Sequence, residues 1–198
     1  MKLGFVSAIL DKSNFEEVIS TAKDMGYSCV EVACWPHEEA ERRYAGVCHI
    51  DVENLDDDKA EEILKLCHDA QVEISALAYY PNILNADAAK SERCIEHLKH
   101  VILAAEKLKV DTVTTFIGRD QNKSVEENLK LVKEVWPPLL TFAKEHGIRI
   151  AIENCPMLFG QEQWPGGQNL MTSPANWEKV FELLPADNLG INDDPSLF

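Results

Sequence analysis

LGFVSAILDKSNFEEVISTAKDMGYSCVEVA, residues 3 to 33, reads as strand, helix, strand. Its outer runs, Leu3 to Ile9 and Ser28 to Ala33, are short and apolar on both faces, the pattern of buried parallel strands. Between them Ser13 and Glu16 form a capping-box signature. Phe15, Val18, Ile19, Ala22 and Met25 then recur at helical spacing until Gly26 supplies the stop. This order is the βαβ unit of a parallel α/β protein.

The same alternation continues outward without a composition break, and nothing reads as a domain linker. Further strand-like runs are Val72 to Ala78, Thr112 to Ile117, Ile148 to Ile152 and Leu189 to Asn192. Helices are predicted from about Asp56 to Ala70 and from Ala88 to Leu108. A fourth opens at Ser124 and Glu127 and closes at Gly147, and Pro137 and Pro138 are expected to kink or split it. Ser173 and Pro174 cap a fifth. Strand starts recur about every forty residues after a shorter first unit. A doubly wound sheet would place a glycine-rich phosphate loop after its first strand, but here that strand runs into Ser7, Ala8, Ile9, Leu10 and Asp11. A (β/α)8 barrel needs eight units and typically about 250 residues. The pattern therefore predicts a (β/α)8 TIM barrel of which about the first six βα units are present, a single domain over residues 1–198 cut short at its carboxyl end.

Composition limits the partners. The 198 residues are 45% hydrophobic and 27% charged, enough to bury a core and exclude disorder as the default. With 34 acidic against 19 basic residues the net charge is -15, which argues against binding a nucleic-acid backbone. No apolar run reaches membrane-spanning length and the amino terminus lacks a secretory signal, so the expectation is a soluble cytoplasmic protein with no membrane partner. The six cysteines are scattered, as suits buried thiols in a reducing compartment, and no disulfides are expected.

In a parallel barrel the chemistry sits at the carboxyl ends of the strands. There the chain places Cys34, Trp35, Pro36 and His37; Tyr79, Tyr80, Pro81 and Asn82; Gly118, Arg119 and Asp120; Glu153 and Asn154; and Asp193 and Asp194. Glu153 is the sharpest signal, because Ile148, Ile150 and Ile152 deliver a carboxylate to the mouth of an apolar core, where a charge needs a partner or a metal. The plainer reading pairs it with Arg149 or Arg119. Asp194 arrives one strand later, and two carboxylates on successive strand ends make half of an oxygen-rich divalent-metal site. Its plainer reading is a turn residue in Asp-Pro-Ser. Trp35, Tyr79, Tyr80, Phe116 and Trp164 could contact a ligand or simply fill the mouth. His37 and His49 are the best polar candidates near the second strand's loop. Trp164, Gly166, Gly167 and Asn169 lie in a long excursion of the kind that often forms a lid. Cys34, His37, Cys48 and His49 match no standard zinc finger.

Seven strings carry a resemblance: EVACWPH (31 to 37), CHIDVENLD (48 to 56), ALAYYPN (76 to 82), TVTTFIGRD (112 to 120), IAIENCPM (150 to 157), QWPGGQNL (163 to 170) and NLGINDDPS (188 to 196). In order and spacing they resemble the sugar phosphate isomerase/epimerase family, with its xylose isomerase-like TIM barrel. The resemblance implies a divalent metal (Mn, Mg, Co or Zn) held by a glutamate, an aspartate, a histidine and a glutamate after the fifth to eighth strands. Glu153 and Asp194 match the first two positions, and the last two have no counterpart in this sequence. Glu153 is then also the implied base for proton transfer next to a sugar carbonyl. Trp35, His37, His49, Tyr80, Asn82, Phe116, Arg119, Asn154 and Trp164 are the candidate substrate contacts. The family commonly has an aromatic residue before the aspartate and a histidine three residues after it; here those places hold Asp193 and Leu197, and leucine cannot bond a sugar hydroxyl.

The function expected is a metal-dependent sugar or sugar phosphate isomerase or epimerase. The alternative is a truncated, non-catalytic barrel that self-associates through its open edge as a homo-oligomer. A metal-dependent abasic-site endonuclease on the same barrel is disfavoured by the negative charge.

Overall fold

The computed structural model describes residues 1–37, 45–157 and 167–195. Its elements alternate as expected: β1 (Gly4–Val6), a 3-10 turn (Ser7–Leu10), α1 (Phe15–Asp24), β2 (Cys29–Ala33), α2 (Asp57–Ala70), β3 (Glu73–Ala78), α3 (Ala88–Lys107), β4 (Thr112–Thr115), α4 (Val125–Glu145), β5 (Arg149–Glu153), α5 (Pro174–Leu183) and β6 (Leu189–Asn192). The strands form a six-stranded sheet in the order β1-β2-β3-β4-β5-β6. Trp164 and Leu197 lie outside the described residues.

The chain divides into two compact units, residues 1–79 with 100–113 and residues 80–99 with 114–198. In the first unit β1 pairs with β2, and β2 with β3, all parallel. Gly4 permits the first pairing, because a Cβ there would lie 2.3 Å from the Cys29 carbonyl oxygen. Val18, Ile19 and Ala22 of α1 are buried, as are Val30, Val32 and Leu77 of the sheet. In the second unit β5 pairs parallel with β6. Its buried core includes Ile117, Val132, Leu139, Ile150, Ile152, Met157, Leu170 and Val180, with Trp136 as a fully buried indole whose Nε1 donates to the Ile117 carbonyl at 3.0 Å.

Three local expectations need correction. The first strand ends at Val6 rather than Ile9, and Ser7–Leu10 turns into a 3-10 segment. There the Ser7 hydroxyl accepts the Ala33 N–H at 2.8 Å, so a side chain takes a donor that a longer strand would have met with its backbone. The capping box of α1 is one residue later than Ser13 and Glu16: Asn14 accepts from the Glu17 N–H, and Glu17 accepts from the Asn14 N–H, both at 2.9 Å. Asparagine caps as well as serine, so the sequence offers both positions and the chain uses the later one. Finally, α4 runs unbroken through Pro137 and Pro138. The two prolines deprive the Lys133 and Glu134 carbonyls of donors, but all four residues are exposed, so water can satisfy those carbonyls. Trp136, Leu139 and Leu140 hold the opposite side of the helix in the core.

Trp136→Ala is expected to lower the unfolding free energy by about 3–5 kcal/mol, combining a large cavity with an orphaned carbonyl. Urea denaturation measures this, and an unchanged midpoint would contradict the packing described.

Candidate functional site

Candidate residues gather in the second unit. Glu153 ends β5 and is half-buried, and the β5·β6 register sets it opposite Asn192. Arg149 opens the same strand, exposed at its other end. Asp194 follows β6 by two residues and is also half-buried, whereas Asp193 is exposed. The buried Asn154 side chain clamps the Asp194 backbone. Its Oδ1 accepts the Asp194 N–H at 2.8 Å, and its Nδ2 donates to the Asp194 carbonyl at 3.0 Å. On the other side Asn169 Nδ2 donates to the carbonyls of Glu153 and Cys155, at 2.8 and 2.7 Å. Two amides thus fix the backbone around both acidic residues.

Aromatic and polar candidates lie in the same unit. Asn192 Nδ2 donates to the Tyr80 hydroxyl at 3.2 Å, and the Tyr80 and Phe116 rings pack with centroids 4.8 Å apart. Asn82 is nearly buried; its Oδ1 accepts from the N–H groups of Leu84 and Arg119, and its Nδ2 donates to the Arg119 carbonyl. Gly118 makes this possible, because at φ +85 an added Cβ would meet Leu84 N at 2.8 Å and Asn82 Oδ1 at 2.9 Å. The half-buried Arg119 keeps its Nε buried with no hydrogen-bond partner. Beyond it, Asp120 is 4% exposed and bonded to Lys123 Nζ at 2.7 Å. That ammonium hydrogen bond holds the Asp120 carboxyl below the usual carboxylate range.

The first unit holds the remaining described candidates. Trp35 is half-buried, edge-on to Tyr79 with centroids 5.0 Å apart, and packs on Ala8, Ala33 and Val47. His37 is exposed, its Nε2 3.8 Å from Asp51. His49 is 9% exposed, with Nδ1 2.8 Å from the Ser7 hydroxyl and Nε2 3.2 Å from the Leu10 carbonyl. Burial pushes its imidazole pKa down, against the pull of the Leu10 and Ser13 carbonyls.

Several of these partners escaped sequence reasoning. Asn192 carries a signal, a polar residue ending the apolar run Leu189 to Ile191. Glu53 and His100 carry none, being 47 residues apart, yet they meet at 3.7 Å in the first unit. His97 precedes His100 by one turn of α3 and is nearly buried; imidazole with carboxylate is a donor set for transition metals. Glu153 and Asp194 offer carboxylate oxygens only, which in type fit a hard divalent cation.

The chain matches the family model of the xylose isomerase-like TIM barrel over residues 19–196. Similar solved structures include D-psicose 3-epimerase, with 16% identity over 96% of this chain and 62% of that one at a TM-score of 0.71. L-ribulose 3-epimerase gives 17%, 99%, 61% and 0.71. The "probable 3-DHS dehydratase" of Bacillus anthracis gives 16%, 98%, 63% and 0.71. This chain therefore spans less than two thirds of each of these structures. No curated protein matches it in sequence.

Asn154→Ala is expected to destabilise the protein by about 1–3 kcal/mol, since two partly buried backbone groups of Asp194 lose their partner. Faster hydrogen exchange at the Asp194 amide would accompany it, and unchanged exchange would contradict the clamp. The depressed Asp120 pKa contributes stability that is complete above the unfolded-state value near pH 4 and is lost as pH falls through the folded one. Asp120→Asn should accordingly flatten the acid limb of a stability profile below pH ~5. An identical limb in the variant would show that the Lys123 pairing carries no such linkage.

Proposed function

Because the chain belongs to the xylose isomerase-like TIM barrel family, we propose that it acts as a sugar or sugar-derivative isomerase or epimerase, with Glu153 and Asp194 as two ligands of a divalent metal. The observation that carries this is the β5·β6 pair. The parallel register puts both carboxylate-bearing segments at the carboxyl end of neighbouring strands, and Asn154 ties one backbone to the other. A bound dication would polarise a substrate carbonyl so that the neighbouring carbon becomes acidic.

The protein's own side chains supply the rest. A Glu153 carboxylate oxygen accepts the proton from the carbon beside the carbonyl, leaving an enediolate, and in an isomerisation delivers it to the former carbonyl carbon, a contribution of roughly 10²- to 10⁴-fold. Epimerisation takes a second base on the opposite face of the first carbon. Tyr80 and Phe116 offer a packed aromatic face for the C–H side of a sugar. Arg119, with its unpartnered buried Nε, offers donors for a hydroxyl or phosphate oxygen. Asn154 and Asn169 hold the backbone still and so limit the reorganisation needed during proton transfer. Among the described residues no helix is long and apolar enough to cross a membrane.

A second reading, association with another copy, is favoured by the exposure of Leu3, Val6 and Ile9, before, in and after β1, at 68%, 41% and 55%. Sedimentation of the full chain separates the two readings, since a monomer that turns over sugar excludes association as the function.

Metal content measured after manganese loading and desalting is expected to fall in Glu153→Gln relative to wild type. Deuterium uptake from heavy water at the carbon beside the carbonyl of a ketohexose should fall by roughly 10²-fold or more. Unchanged occupancy removes Glu153 as a ligand; unchanged uptake removes it as the base.

A further inference from the structure

Cys34, directly after β2, and Cys48 face each other across an isolated antiparallel bridge within the first unit. The Trp35 N–H donates to the Val47 carbonyl at 3.2 Å and the His49 N–H to the Ala33 carbonyl at 2.9 Å. These bonds flank the two cysteines and make them a non-hydrogen-bonded pair, the close kind, with Cα atoms about 4.5 Å apart and side chains on one face. A disulfide needs Cα atoms about 4.4 to 6.8 Å apart. Cys34 is fully buried, while Cys48 is half-buried and open to a small reagent. The spacing of such a pair falls within the range a disulfide spans.

We propose that Cys34 and Cys48 form a reversible cross-strand disulfide by exchange with a small-molecule disulfide such as oxidised glutathione. The Cys48 thiolate attacks one sulfur of the reagent, whose S–S bond breaks and releases one thiol. Cys34 then loses its proton and attacks the Cys48 sulfur, forming the protein S–S bond and releasing the second thiol. In sum, two protein thiols give up two electrons and two protons, and one small disulfide becomes two thiols. The bond fastens the end of β2 to the segment after residue 47, bracketing the stretch that carries Trp35 and His37.

The surroundings make this a slow reaction. Burial, then the Asp51 and Glu53 charges, push the Cys48 thiol up to about 11. Burial, Cys48 and Glu31 push the Cys34 thiol well above its usual value, against the Ala78 backbone bond. Because the thiolate attacks, the rate should rise about tenfold per pH unit up to about 11. Such thiols resist stray oxidation near neutrality and respond to sustained exposure.

The test treats the folded full chain with oxidised glutathione at mildly alkaline pH, then acidifies, denatures, alkylates and weighs it. The expected product has lost two of its six alkylatable thiols, is lighter by two hydrogens before alkylation, and reverts with dithiothreitol. Trypsin should release residues 24–42 joined to 44–59, with fragment spectra placing the bridge on Cys34 rather than Cys29. Cys34→Ala should stop with one glutathione on Cys48, and Cys48→Ala should leave Cys34 unmodified. The half-buried Cys48 variant keeps the test usable if the buried one misfolds. Retention of all six thiols, glutathione remaining on wild-type Cys48, or a bridge mapped to Cys29 would overturn the proposal.

Discussion

Parallel strands cannot be joined by a tight turn; each must be followed by a crossover long enough to return the chain to its starting end. Every neighbouring pair in β1·β2·β3 and β5·β6 obeys this, with α1, α2 and α5 in the returning connections. The consequence for chemistry is direct. The apolar run of each strand is consumed by the core, and the residues just past it are the first that can be polar. Glu153, Asn154, Asn192 and Asp194 all occupy that position. What they can do is set by how firmly the exits are held, and the Asn154 and Asn169 amides hold the backbone here.

Amide clamps suit this place. An asparagine offers one acceptor and two donors without charge, so it can bind backbone groups without adding a formal charge beside neighbouring carboxylates. Asn82, Asn154 and Asn169 each do so in the second unit, binding backbone groups at 2.7 to 3.2 Å. A lysine or arginine in the same role would add a positive charge beside Glu153 and Asp194. The first unit differs, because its candidates are drawn into local partnerships: His37 toward Asp51, His49 toward Ser7, and Trp35 toward Tyr79.

Sequence periodicity revealed the fold because the strands are short, apolar and regularly spaced, and because Ser124, Ser173 and Gly26 mark helix ends by chemistry that acts within a few residues. It misplaced features decided by longer-range or directional effects. Pro137 and Pro138 were expected to break α4, but whether a proline breaks a helix depends on where the freed carbonyls face. Ser7 diverts the chain through a bond to Ala33, 26 residues away, which no local pattern encodes. Strand-end candidates were legible as positions, since Glu153 and Asp194 each follow an apolar run. Their restraint by Asn154 and Asn169 was not, because an asparagine in a loop has the same composition whether it clamps a backbone or faces water.

His49 shows what such restraint does to a side chain that looks available. The Leu10 carbonyl can only accept, so the ring hydrogen sits on Nε2 and Nδ1 presents a bare lone pair. Ser7 must then point its hydroxyl hydrogen at Nδ1 while its oxygen receives the Ala33 amide. Every hydrogen in this relay runs one way, and the imidazole is locked in a single tautomer. Acid would add a second hydrogen where one is already directed, and the displaced hydroxyl hydrogen would need a new acceptor in a closed interior. The ring thereby splices three separate stretches of chain into one directional circuit.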